Sequence, residues 1–131
     1  MQSAPLDNRQ NQSQPLESRE TDELIASNKV EGTKVYSTDG EKVGSIEHLM
    51  IGKRTGKVDY AVMSFGGFLG IGEDHHPLPW DVLTYDTDRG GYVVNIDKEK
   101  LTDAPRYPKG TEPEWSHGYN HKIYAFYGVP Y

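Results

Sequence analysis

The chain has no cysteine, which excludes disulfides, thiolate catalysis and zinc–thiolate sites. No apolar run approaches the ~18 residues needed to cross a bilayer, so no transmembrane segment is expected. Hydrophobic residues are scarce, at 34% of 131, which is low for a compact domain and implies that part of the chain stays outside the core. Basic charge is also short: Lys and Arg number 14 against 20 Asp and Glu, for a net charge of −6. A basic face for phosphates is therefore missing, and nucleic acid is not an expected partner. Lys53, Arg54 and Lys57 form the only close basic cluster, and they read as a solvated turn. The first residues, MQSAPLDNRQNQSQPLE, lack the apolar core of a signal peptide. Taken as the native start, they imply a cytoplasmic protein.

What is present organises itself around KVDYAVMSFGGFLGIGEDHHPLPW, from Lys57 to Trp80. Val58 to Phe65 reads as a strand buried on at least one face. Gly66, Gly67, Gly70 and Gly72 then supply the structural turn, because glycine reaches backbone angles closed to other residues. Phe68, Leu69 and Ile71 between them are expected to fold over a barrel mouth or into a partner. The next strand carries Pro77 and Pro79, which lack amide donors, so it is expected at an edge or paired on one side only.

Around this stretch, residues 1–20 are polar and read as a disordered tail. Thr21 to Leu24 suits a short capped helical turn. Short strands are expected at Lys34–Tyr36, Gly44–Ile51 and Tyr92–Ile96, Asp81–Asp86 is expected as a turn and strand, and turns fall at Ser37–Gly40, Gly52–Gly56 and Asp88–Gly91. In the second of these strands, Ile46, His48 and Met50 are expected on one face and Glu47, Leu49 and Ile51 on the other. About six short strands with turns roughly every 10 residues favour a mainly β fold, a small antiparallel barrel over residues 21–107. Asp97 is placed to cap a helical turn through Leu101. Residues 108–131 form a C-terminal extension, with a helix expected over Glu114–Tyr127 that docks on the barrel or on a partner subunit.

Chemistry is harder to find. His75 and His76 are adjacent, point to opposite faces of a strand and cannot chelate one ion together; they read as edge-strand polar residues. His117 and His121 have the spacing that puts two imidazoles on one helical face, but a third ligand is required and no glutamate follows His117. No Lys-Ser or Lys-Thr follows the glycines, so they do not form a phosphate loop. Ser64, His75 and Asp81 lack a nucleophile elbow. No cofactor and no enzymatic activity are expected; a metal- or small-ligand-binding protein using these histidines is the alternative. The aromatics say more. Tyr60, Trp80, Tyr85 and Tyr92 suit a small core. Phe68, Leu69 and Ile71 in the turn, and Trp115, Tyr119, Ile123, Tyr124, Phe126 and Tyr127 in the extension, suit a protein contact surface, because aromatic rings with polar tips are what interfaces use.

Four segments follow one another: Val35-Tyr36-x-x-Asp39-Gly40-Glu41-Lys42-Val43-Gly44, Thr55-Gly56-Lys57-Val58-x-Tyr60-Ala61-Val62, Gly66-Gly67-Phe68-Leu69-Gly70-Ile71-Gly72 and Pro77-Leu78-Pro79-Trp80. In that order and spacing, over about residues 22–105, the chain resembles the PRC-barrel family, named for the cytoplasmic domain of the photosynthetic reaction-centre H subunit. The resemblance implies a small β-barrel that serves as a non-enzymatic docking module. In related proteins it sits on membrane complexes or, within a ribosome-maturation factor, touches a ribosomal protein. With neither a membrane helix nor an upstream domain expected here, the resemblance points to a stand-alone bacterial member. Its protein partner is not specified, and a homodimer is expected for a short barrel with proline-marked edges and an aromatic tail.

Overall fold

Ala61, Val62 and Met63 are three consecutive residues with no solvent exposure. Neighbours in a strand point to opposite faces, so this strand is covered on both sides, and the molecule is built around it. The computed structural model describes residues 23–66 and 73–131. The polar tail over 1–20 and the turn residues Gly67, Phe68, Leu69, Gly70, Ile71 and Gly72 lie outside the described residues.

Two compact units divide the chain at Val30. In the first, the short helix α1 (Ser27–Val30) is held by the Lys29 and Val30 amides donating to Ala26 O at 2.9 and 3.2 Å. In the second, β1 (Lys34–Tyr36), β2 (Lys42–Ile51), β3 (Val58–Gly66) and β4 (Glu73–Pro79) run as an antiparallel meander. A 3-10 turn at Trp80–Val82 leads into the hairpin β5 (Leu83–Asp86) and β6 (Gly91–Val94). Then come the helical turn α2 (Lys98–Leu101), the two-residue strand β7 (Tyr107–Pro108) and the helix α3 (His117–Tyr127). The strand order is β5-β6-β1-β2-β3-β4-β7, antiparallel except where β1 and β6 lie parallel.

This order forces the sheet to close. In a flat sheet β4 and β5 would lie five strand spacings apart, about 24 Å. The link from Pro79 to Leu83 is only four Cα steps, about 15 Å when fully extended. The sheet must therefore coil until the start of β5 lies within that reach of the end of β4, a small barrel whose edge strands β5 and β7 share no ladder among the described residues. Trp80 marks the join: its ring lies 5.5 Å from that of Tyr92 on β6. Val35, Ile46, Met63, Leu78, Val94 and Leu101 fill the interior, each at 1% exposure or less.

Two expectations about strands need revision. The pairing of β2 with β3 shifts between Ile46 and His48. Ile46 lies opposite Met63 and His48 opposite Val62. Cross-strand partners share a face, so this bulge splits Ile46 from His48 instead of keeping them together. Second, β4 is not lined by exposed polar residues. His75 is 9% exposed and His76 fully buried. The proline logic survives: β4 pairs with β3 along its whole length, but with β7 only at Asp74 and His75, so Pro77 and Pro79 need no amide on that side.

The C-terminal helix starts at His117, three residues later than expected, because Ser116 is its N-cap and its hydroxyl accepts from the Tyr119 amide at 3.2 Å. At its other end Gly128 has φ of 73°, the left-handed cap that glycine adopts without strain. Gly118 lies in the first turn with no atom within 4 Å of where a Cβ would stand. Gly118→Ala should therefore raise stability by about 0.5 kcal/mol through reduced backbone entropy of the unfolded chain. The midpoint of urea unfolding reads this directly, and a lowered midpoint would contradict it.

Candidate functional site

Register places Met50, Tyr60 and Pro79 side by side on β2, β3 and β4, on the face away from Met63 and Leu78. Onto this outer face the extension lays its aromatics. The Trp115 ring is 5.4 Å from Tyr60, 6.3 Å from Tyr107 and 5.7 Å from Tyr119. Tyr124 meets Tyr60 edge-on at 5.6 Å. Edge-to-face rings at these separations add to simple burial. The polar tips are tied in: the Tyr60 hydroxyl donates to Asn120 Oδ1 at 2.7 Å, and the Tyr124 hydroxyl donates to Asp59 O at 3.4 Å. Tyr131 closes the group, its hydroxyl 2.8 Å from His117 Nδ1.

Burial of these phenols disfavours the charged form. It pushes the Tyr60 hydroxyl well above its ordinary range, with the neighbouring tyrosines and Asp59 adding to the effect. Tyr107 is raised to about 12, again by burial first. Tyr124 is raised by burial and then by the Asp59 and Asp81 carboxylates. The Tyr60, Tyr107 and Tyr124 phenols are therefore neutral at physiological pH and offer hydroxyl donors.

The candidate contact residues divide by position. Ile123 is fully buried and Tyr127 is 5% exposed, so the chain's own fold occupies both. Trp115, Tyr119, Tyr124 and Phe126 are half-buried, the last with Lys100 Nζ 5.8 Å above its ring. Beside Trp115 a cleft of about 170 Å³ opens, lined by Met50, Ile51, Asp59, Tyr60, Trp115 and Asn120. Ile51, at 51% exposure, and Tyr131, at 55%, are among the most exposed large apolar side chains described. Ile51, Asp59 and Asn120 carry no contact signal in the sequence; only the docking of α3 brings them together beside Trp115.

The histidines fall apart as a set. His75 stacks edge-on against Tyr107 at 5.5 Å, and His76 against Phe65 at 5.0 Å. His117 and His121 do share a face of α3, but the Tyr131 ring sits over both, at 5.8 and 6.1 Å. Among the described residues no group of three or more His, Asp or Glu side chains is placed to hold a metal ion. Ser64 lies opposite His75 in the β3–β4 register. Its hydroxyl instead faces Ser45, 3.5 Å away, while His75 Nε2 is buried without a hydrogen-bond partner. A second depression, of about 310 Å³, is lined by Lys42, Val43, Gly44, Ser45 and Ser64.

The coiled sheet is a PRC-barrel, and a model of the PRC-barrel domain matches residues 22–101. The chain belongs to that family. A search of curated proteins finds no match. Among the described residues no helix is long and apolar enough to cross a membrane.

Proposed function

We propose that the chain is a non-enzymatic protein–protein interaction module that associates with a second copy of itself through the surface around Trp115. The observation that carries this reading is the exposure of Ile51 and Tyr131 beside half-buried Trp115 and Tyr124. Apolar side chains gathered at one place on a small domain mark contact sites. Amphipathic rings at such a patch supply area without losing many rotamers on binding. The neutral phenols nearby favour recognition over proton transfer.

Sedimentation velocity tests it. The expected result is a dimer at micromolar concentration that becomes a monomer in Ile51→Asp, which sets a carboxylate in the patch while leaving the core intact. A wild-type chain that stays monomeric throughout, or a dimer indifferent to Ile51→Asp, overturns the proposal.

A further inference from the structure

The cleft beside Trp115 is well below the roughly 300–1,000 Å³ that whole small-molecule ligands occupy. At about 170 Å³ it has room for a single side chain. Its walls select the kind. Half-buried Trp115, packed on the buried Tyr60 ring, supplies the aromatic wall, Met50 and Ile51 an apolar rim, and the exposed Asp59 an acid. Among the described residues neither Asp59 nor nearby Asp81 forms an ion pair. Aromatic faces and an unneutralised acid together favour a cation. Of the cations a protein offers, the planar guanidinium both stacks on rings and pairs with a carboxylate.

Three arginines are described. Arg89 pairs with Asp86 at 3.5 Å and Arg106 with Asp74 at 2.9 Å. Arg54 has no ion pair among the described residues. It is exposed on the turn that joins β2 to β3, only a few residues from Ile51 and Asp59. In a two-fold dimer each contact is made twice, residue i of one copy meeting residue j of the other. Two such hairpins laid antiparallel across the Ile51 patch would bring each tip to the base of the other.

We infer that the cleft formed by Asp59, Tyr60 and Trp115 receives the Arg54 side chain of a second copy, so that two guanidinium–aromatic–carboxylate contacts hold the dimer. The inference rests on the self-association proposed above and names its specificity element.

Charge exchange tests it. Asp59→Lys places like charges at both contacts, and so does Arg54→Glu. Each variant alone should dimerise at least about tenfold more weakly than wild type. Mixed one to one, they should recover a heterodimer, because one contact is then native and the other has its charges reversed. Thermal melts of each variant confirm that the fold is retained. If either variant dimerises as wild type does, or if both are weak and the mixture stays monomeric, the assignment of Arg54 falls while the dimer reading stands. A monomeric wild type removes both.

Discussion

Acidifying the protein from neutral pH to about pH 4 should remove roughly 3 kcal/mol of stability through His76 alone. His76 is fully buried on β4, and neither ring nitrogen has a hydrogen-bond partner. Burial lowers its pKa from 6.5 to about 4, and the Arg106 guanidinium and His75 act in the same direction, while Asp74 opposes them. The unfolded chain therefore takes up this proton near pH 6.5 and the folded chain only near pH 4. Stability from this group is fully present above the unfolded pKa and is lost as pH falls through that window. His76→Leu, of similar volume, removes both the titration and two unpaired nitrogens. It should leave a curve much flatter between pH 6.5 and 4, and at pH 7 be neutral or more stable by about 1 kcal/mol. Urea unfolding of both proteins across that range decides the matter; parallel curves would show that the wild-type loss comes from other groups.

The second large effect is expected at Gly44. A Cβ built there would stand 2.0 Å from Ser64 O and 2.9 Å from Met63 Cγ. The first contact is with backbone, which cannot rotate away. Gly44 lies opposite Phe65 in the β2–β3 ladder, which carries the strand at the centre of the barrel. Gly44→Ala must either push these strands apart or break the pairing there, at about 3 kcal/mol or more. Gly118→Ala, the same change in open space, is the internal control. Circular dichroism and urea unfolding should show the first protein largely unfolded or severely weakened and the second intact. A Gly44→Ala protein of wild-type stability would mean that the strands are not so closely apposed in solution.

Much of this barrel is legible in the sequence because local chemistry decides it. The turns at Gly40, Gly56 and Gly90 are readable because all three glycines adopt positive φ. Pro77 and Pro79 announce a strand that lacks a full partner on one side, and β4 meets β7 only at Asp74 and His75. Other features depend on parts of the chain that meet only after folding. The bulge beside Glu47 leaves no mark in the alternation of apolar residues, so a strict two-residue period puts His48 on the wrong face. His75 and His76 look like edge residues beside Glu73 and Asp74. They are buried because Tyr107 and Phe65 stack on them, contacts made across strands. The cleft is the extreme case: Met50, Asp59 and Trp115 come from two strands and the lead-in to a helix, and no spacing rule connects them.

The parallel contact between β1 and β6, at Val35–Tyr92 and Tyr36–Val93, has a kinetic consequence. The β1–β2, β2–β3, β3–β4 and β5–β6 pairs join neighbours along the chain, whereas this seam and the two-residue β4–β7 pairing do not. This seam joins residues far apart in sequence, so a large loss of chain entropy precedes its first favourable contact. Assembly is therefore expected to proceed from two locally formed pieces, a four-stranded meander and a hairpin, with the long-range seams β1–β6 and β4–β7 closing last.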